Sequence, residues 1–414
     1  KAISGDGYEG HYFWDTEAYM HPFFTLTDHE RARNLIMYRY HHLEEAKQEA
    51  VNLGASRGAK IPWRTINGNE SSPYYPAGSA QIHINSDIAH AIITYYYQTK
   101  DDAFMKDYGI ELLFETALFL LDWGHFHQGL FHLYGVTGPD EYTALVNDNY
   151  YTNKMAQAHF RFTHNYIMAH KLELEPLLNR IGVMAHDLDL MMDAATSMAL
   201  YKDEKTGVIL QDAEFMHKKE WDIDSIPKEK FPILLHHHPL HIYKHQILKQ
   251  ADAMVALVFH DDVDLDTYEK TLAYYLKRTT HDSSLSKCIY GIALYKVGQD
   301  ALAKTYFKAV AELDLFDMKK HTAHGLHAAN LGGSYLMLAY GLFGIRMNEV
   351  LVINPAKQTS ISRASMRLNY LGSMVHLQLE DGKIYIESNQ KITINLMGET
   401  VIIDSKCQVY RQFL

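Results

Sequence analysis

The chain reads as a mainly helical protein, a ring of paired helices followed by a small β-domain, and three observations predict this. Apolar residues recur at helical spacing through a long series of segments. No strand pattern separates those segments, so the helices must bury their apolar faces on one another, either as a stacked solenoid or as a closed double layer. Repeat identity is too weak for a solenoid. Beyond Arg346 the period shortens from helical to alternating, which marks strands. With 414 residues and 47% apolar content the chain can bury a large core.

Taken in order, residues 27–54 carry Ala32, Leu35, Ile36, Tyr38 and Tyr40 near helical spacing, with Asp28 as cap and Gly54 as stop, and predict one long helix. Similar patterns predict helices over 86–98, 108–126, 153–173, 178–200, 245–259, 265–278, 284–297, 301–313 and 327–343. The stretch 202–243, with Pro227, Pro232 and His236-His237-His238-Pro239, is the longest irregular insert. Strands are predicted over 350–353, 375–379, 384–386 and 392–396, with Asp381-Gly382 as a hairpin turn.

Composition excludes several functions. A net charge of -11 without a basic block argues against nucleic acid as a partner. Cys288 and Cys407 lie in different segments without metal or disulfide spacing, which fits a reducing cytoplasm. There is no uninterrupted apolar run of membrane-spanning length and no secretory signal, so neither membrane nor export is expected. Residues 1–7 lack an initiator methionine and run straight into an aromatic motif, from which a fragment of a longer protein is expected.

The chemistry-bearing residues cluster in loops. Glu141 lies in Thr137-Gly138-Pro139-Asp140-Glu141-Tyr142, where Gly138 and Pro139 forbid a helix and stiffen the turn. Tyr134, Tyr142, Tyr150 and Tyr151 can surround it with flat faces for sugar rings. Withdrawal from water raises a carboxyl's pKa toward the range of a general acid; read alone, the run also describes a surface turn with two solvated acids. Gly10-His11-Tyr12-Phe13-Trp14-Asp15-Thr16-Glu17 combines rings that stack on sugars with carboxylates that accept from hydroxyls. On a helix Phe13 and Glu17 share a face and Asp15 lies off it, so the two acids need not do the same job. The alternative is a buried helix start with a capping acid.

The loop 67–79 ahead of His83, Asn85 and Asp87 is rich in Tyr, Gly and Pro and suits a shaped wall for a second ring, or a plain connection. Lys249-Gln250, read as helical and preceded by His245, offers a cation and an amide at one level, as solvated helix faces also do. His281-Asp282-Ser283-Ser284-Leu285-Ser286 opens a helix with Ser283 or Ser284 at the cap, a place for an anion or for capping alone. Another helix start, Thr322-Ala323-His324-Gly325-Leu326-His327, sets two histidines beside small residues. No histidine shows the spacing of a common catalytic zinc site, so no metal is assigned.

In this order the motifs resemble glycoside hydrolase family sixty-five, inverting phosphorylases of α-glucosides such as maltose, kojibiose, nigerose, trehalose, trehalose 6-phosphate and glucosylglycerol. The likeness spans nearly the whole chain. It rests on 10–17, on Pro62-Trp63-Arg64-Thr65-Ile66-Asn67-Gly68 with Pro76-Ala77-Gly78 and His83-Ile84-Asn85, and on Gly138-Pro139-Asp140-Glu141-Tyr142 with Asn149, Tyr151, Thr152 and Asn153. Lys249-Gln250-Ala251-Asp252, Ser283-Ser284-Leu285-Ser286 and Gly325-Leu326-His327-Ala328-Ala329 complete it. The resemblance implies an (α/α)6 barrel catalytic domain over 1–346 and a small β-sandwich-like domain over 347–414. The family's N-terminal β-sandwich is absent from the chain, and the earliest barrel helix is expected to be missing with it.

By resemblance Glu141 is the general acid; Trp14, Asp15, Lys249 and Gln250 hold the glucosyl ring; Ser283, Ser284 and His327 hold phosphate; Tyr74, Tyr75 and Gln81 shape the acceptor site. The implied reaction is phosphorolysis with inversion to β-glucose 1-phosphate, with inorganic phosphate as co-substrate and no cofactor. Phosphate is already nucleophilic, so the second carboxylate of inverting hydrolases is dispensable. The family's hydrolases carry a glutamate near Ser283-Ser284, where this chain has hydroxyls and Asp282. An inverting hydrolase and a non-catalytic carbohydrate-binding protein are the alternatives. The acceptor sugar is open, and family members are often homodimers.

Overall fold

The computed structural model describes residues 4–318, 320, 322–357 and 359–404, and the backbone of 409–412; Cys407 lies outside the described residues. Six helical elements close a ring. The wide turn Thr16–Met20 and α1 (His21–Thr27) pack on α4 (Ile84–Thr99), α4 on α7 (Tyr150–Ala169), and α7 on α11 (Ala253–His260). From there α11 packs on α13 (Ser286–Lys296), α13 on α15 (Ala328–Leu336), and α15 returns to the first turn. Around this ring stand α2 (His29–His41) with α3 (Leu43–Asn52), and α6 (Ile110–Trp123) with the single turn α5 (Asp102–Phe104). The outer layer continues with α8 (Lys171–Arg180) and α9 (Ala185–Thr196), then α12 (Leu265–Leu276) and α14 (Asp300–Leu315). This is the (α/α)6 barrel. Among the described residues no outer helix backs the seam where α15 meets α1.

Two of the sequence expectations are corrected. The long helix over 27–54 is two helices, α2 and α3: Asp28 caps the first through Arg31 N at 3.1 Å, but His42 leaves helical geometry at φ -111° and ψ 24°. The helix expected over 245–259 begins only at Ala253, because the backbone before it is bonded elsewhere. Leu248 N donates to Arg278 O at 2.8 Å, and Lys249 N donates to Asp140 Oδ1 at 2.8 Å. Lys249 and Gln250 therefore sit on a loop.

Beyond the ring the chain turns into strands at Gly344, whose φ is +62° and whose added Cβ would lie 1.7 Å from Asn354 O. The strands β5 (Ile345–Met347), β6 (Leu351–Ile353), β10 (Ile392–Leu396) and β11 (Glu399–Ile403) form one sheet in the order β11-β10-β6-β5. The other runs β12-β9-β8-β7, from β7 (Arg363–Tyr370), β8 (Ser373–Glu380), β9 (Lys383–Ser388) and β12 (Val409–Gln412). Asp381 and Gly382, at φ 47° and 73°, make the tight turn that joins β8 to β9. Strand and helix faces merge into one apolar cluster reaching from Trp14 to Ile403. Short pairs, β1 (His125–His127) with β2 (Leu130–His132) and β3 (Lys219–Glu220) with β4 (His245–Gln246), edge the loops. No described helix is long and apolar enough to cross a membrane.

The insert is ordered about a small core of its own. Ile233, Ile242 and Ile247 pack on Tyr142, with Trp221, Phe231 and Tyr243 around them. The residue after Glu141 is thus the peg on which the insert hangs.

Candidate active site

The loops that precede the inner helices meet at one mouth of the ring, and there they enclose a cavity of about 730 Å³. Trp14 and Asp15, Glu141, Lys249 and Gln250, Ser283 and Ser284, and His327 all line it. Residues from four separate loops and the first wide turn are thereby brought together. A second cavity of about 510 Å³, lined by Tyr96, Tyr97, Arg161 and Arg346 among others, contains none of the residues selected from sequence.

The turn bearing Glu141 is clamped from behind. Asp140 Oδ1 accepts from Lys249 N at 2.8 Å and Tyr142 N at 3.2 Å, and Gln211 Nε2 donates to its Oδ2 at 3.2 Å. Asp140 N donates to Asp252 Oδ2 at 3.1 Å, and Asn149 Nδ2 donates to Asp252 Oδ1 at 2.9 Å. Both acids are buried. Burial pushes the Asp140 carboxyl up to about 7, and burial together with the charge of Asp140 drives Asp252 well above the ordinary range. Only glycine fits at 138, since an added Cβ would lie 2.2 Å from Asp252 Oδ2 and 2.4 Å from Asn149 Nδ2.

Glu141 itself is ion-paired: Lys249 Nζ stands 2.9 Å from Oε2, with the two side chains 22% and 23% exposed. Burial draws the Lys249 ammonium down, but the charge of Glu141 outweighs it and holds the group above its ordinary value. Asp15 is partly open to the cavity; burial pushes its carboxyl up to about 6, and Glu141 and Glu17 add to the effect. Glu17 points the other way, into the core, where Arg39 Nε donates to Oε1 at 2.7 Å and Nη2 to Oε2 at 3.0 Å. Gln250 is 2% exposed; its Nε2 donates to Pro139 O, and its Oε1 is buried with no hydrogen-bond partner among the described residues.

Trp14 is only 2% exposed, with the edges of Tyr19, His83 and Tyr151 against its ring at 5.5, 5.3 and 6.1 Å. It can offer a ligand a margin of its indole, not an open face. Beneath it His83 Nδ1 pairs with Asp87 Oδ2 at 2.7 Å, and Tyr151 OH donates to Asp87 Oδ1 at 2.7 Å. Of the four tyrosines expected around Glu141, Tyr142 lines the cavity; Tyr150 and Tyr151 are core residues and Tyr134 is exposed elsewhere.

On the anion side, helix α13 starts at Ser286, later than expected, and Ser283 Oγ accepts from Leu285 N at 3.2 Å. His327 stands at the N-cap of α15, whose first residues Ala328, Ala329 and Asn330 also border the cavity. First-turn N–H groups of a helix have no partner within it and carry partial positive charge. Asp282 lines the same cavity, but its Oδ2 accepts from Tyr142 OH at 2.6 Å and from Ile233 N at 3.1 Å.

The acceptor assignments are where the structure departs most from the sequence reading. Gln81 is 0% exposed, with Nε2 donating to Ala77 O at 3.1 Å and Oε1 on His83 Nε2 at 2.9 Å, so it stands behind the wall. Tyr74 and Tyr75, 46% and 64% exposed, do not line the cavity; the Tyr74 hydroxyl lies 3.4 Å from that of Tyr243. Tyr243 packs on the small apolar cluster that contains Tyr142, the residue after Glu141. In their stead Phe231, Pro232, Leu234 and Leu235 of the insert form the apolar wall, together with Tyr8, Phe13 and Trp63. The sequence offered no signal for them beyond a run of apolar residues within an irregular segment.

Fold and cavity together define the class: an (α/α)6 barrel whose mouth carries a carboxylate–ammonium pair, further acids, hydroxyls and aromatic walls. The chain belongs to glycosyl hydrolase family 65, whose central catalytic domain residues 1–336 match. An α,α-trehalose phosphorylase of Geobacillus stearothermophilus is 41% identical over 409 residues, covering 96% of this chain and 53% of that protein. A kojibiose phosphorylase of Halothermothrix orenii is 32% identical over 408 residues, covering 93% of this chain and 52% of its own. A solved structure titled putative kojibiose phosphorylase from human microbiome superposes with a TM-score of 0.91 at 31% identity, covering 98% of this chain and 55% of that one. The chain thus spans about half the length of the relatives it matches.

Proposed function

We propose that the protein is an inverting phosphorylase of an α-glucosyl disaccharide, with α,α-trehalose its first substrate to test. The reading rests on one observation, that Glu141 with Lys249 and the group Ser283, Ser284 and His327 border the same cavity. The choice of sugar rests on the relative named α,α-trehalose phosphorylase, at 41% identity against 32% for the one named kojibiose phosphorylase.

In this reading Gln250, Asp15 and Lys249 hold the glucosyl ring. Lys249 then shares its ammonium with the sugar, and Glu141 carries the proton it gives to the glycosidic oxygen. The C1–O bond breaks as a phosphate oxygen, held by Ser283, Ser284, His327 and the start of α15, bonds to C1 from the opposite face. β-Glucose 1-phosphate and the free acceptor leave, and Glu141 is reprotonated from solvent. One oxygen of Asp282, Oδ2, already accepts from Tyr142 OH and Ile233 N, which leaves Oδ1 as the oxygen a hydrolytic reading would need as its base.

The test uses full-length protein with trehalose, kojibiose and maltose, with and without inorganic phosphate. Phosphate-dependent release of β-glucose 1-phosphate is expected, reduced in Glu141→Gln by about 100- to 10,000-fold. Unchanged turnover in that variant refutes the assignment. Glucose release without phosphate identifies a hydrolase, and sugar binding without turnover a binding protein.

A further inference from the structure

We propose that Asp314 is the positioning residue of the anion site, setting His327 to meet phosphate as a proton donor; this rests on the reading of His327 as a phosphate ligand. Both oxygens of the Asp314 carboxylate serve this one residue. His327 Nδ1 lies 2.6 Å from Oδ1, and His327 N donates to Oδ2 at 2.7 Å. The carboxylate is 6% exposed and the imidazole 15%.

An ionised carboxylate only accepts, so the ring nitrogen facing it must carry hydrogen. That fixes the neutral ring as the Nδ1–H tautomer, and in the proposed role Nε2 is the atom that meets phosphate in the cavity that His327 lines. Phosphate oxygens are acceptors, and Nε2 bonds to them as a donor once the ring is protonated. The charge of Asp314 stabilises that imidazolium. Among the described residues, His281, Lys249, Asp282, Glu141 and Asp15 also line the cavity; positive charge there opposes protonation of His327 and carboxylates favour it.

The location of Asp314 argues for a role of this kind. It lies one residue before the end of α14, where the helix dipole disfavours an acid. It is not needed merely to join α14 to α15, because Asn330 Nδ2 donates to Val310 O at 2.8 Å and supplies a separate tether. Asp314→Asn is therefore expected to fold.

The experiment compares full-length wild type, Asp314→Asn and His327→Ala in trehalose phosphorolysis from pH 5.5 to 8.5. Asp314→Asn is expected to raise KM for phosphate by about 10- to 100-fold, the worth of a hydrogen bond to a charged group. KM for trehalose should stay within about twofold, and the basic limb of kcat/KM for phosphate should move to lower pH, a shift that loosened packing alone does not produce. An unchanged phosphate KM and pH limb in Asp314→Asn, while His327→Ala weakens phosphate, overturns the role of Asp314 alone. If His327→Ala also leaves phosphate KM unchanged, the phosphate reading falls instead. Nitrogen-15 spectra of His327 in the unaltered protein give a readout independent of folding: the Nδ1–H tautomer without phosphate supports the proposal, and the Nε2–H tautomer overturns it.

Discussion

Gly138→Ala tests the clamp behind the acid turn. The new methyl carbon would lie 2.2 Å from Asp252 Oδ2 and 2.4 Å from Asn149 Nδ2, so one side must yield by about 1 Å or more to reach ordinary contact. If Asp252 and Asn149 yield, the bonds Asp140 N to Asp252 Oδ2 at 3.1 Å and Asn149 Nδ2 to Asp252 Oδ1 at 2.9 Å are strained or lost. Two buried groups left unsatisfied cost about 1–3 kcal/mol each, and overpacking adds about 1–3 kcal/mol, so roughly 3–9 kcal/mol is at stake. Against a typical total of about 5–15 kcal/mol that is a large loss. If the turn yields instead, Glu141 moves by a comparable distance, and a misplacement of about 1 Å costs on the order of 100-fold in rate. Urea denaturation and phosphorolysis rates on the same preparation separate the two responses. A variant within about 0.5 kcal/mol of wild-type stability and near wild-type rate refutes the clamp, since such a change is what an unconstrained surface site would show.

Two further substitutions probe the buried charges. Arg39→Met leaves Glu17 buried without its cation and should cost about 3–5 kcal/mol in urea denaturation, with Glu17→Leu added to it restoring much of the loss; a cost well under 1 kcal/mol contradicts the pairing. For Asp140, burial raises the carboxyl from 3.8 to about 7, so the folded state holds a proton that the unfolded state has released. That contribution is complete below the unfolded value and is lost as pH rises through the folded one. Asp140→Asn has no proton to lose, so its stability relative to wild type should improve between pH 5 and 7, by on the order of 2–3 kcal/mol if the site titrates alone. Paired urea midpoints at the two pH values measure this, and a relative decline refutes it.

What the sequence could disclose was local. Gly138 and Pro139 announce a turn through their own backbone limits, and helical geometry separates Asp15 from Glu17, which the structure sends to the cavity and to Arg39. The change to strands beyond Arg346 was legible because alternation persists over several residues, as in β10. Strand β7 is absent from the sequence reading although Ala364, Met366, Leu368 and Tyr370 alternate along it and all four pack on the core. The mistaken helix around Lys249 arose from Ile247, Leu248 and Ala251, whose spacing imitates a helix while their segment is bonded to Arg278 and Asp140. The roles of Asp252, Gln211 and Asp314 are not legible for a related reason: each acts on a residue more than ten positions away, and a single chain carries no record of such pairings. Gln81, Tyr74 and Tyr75 come from the resemblance and its loop, which does not separate a cavity-lining residue from the buried Gln81 behind the wall or the exposed Tyr74 and Tyr75 outside it.

The proposed site also has to attract an anion to a protein of net charge -11. Net charge is a distant property: at physiological salt, exposed charges are screened beyond about 8 Å, so surface acids weigh little inside the mouth. What a ligand meets there is set by contact groups. Asp15, Glu141 and Asp282 contribute acids, but Glu141 is countered by Lys249, one oxygen of Asp282 accepts from Tyr142 and Ile233, and burial pushes Asp15 up to about 6. Against them stands the N-terminal end of α15, which borders the cavity with Ala328, Ala329 and Asn330 and whose N–H groups cannot be neutralised by titration. The ring architecture makes this arrangement cumulative, because inner helices that begin at one mouth deliver loop side chains and backbone donors to the same place. An anion can then be favoured locally while the surface as a whole stays acidic.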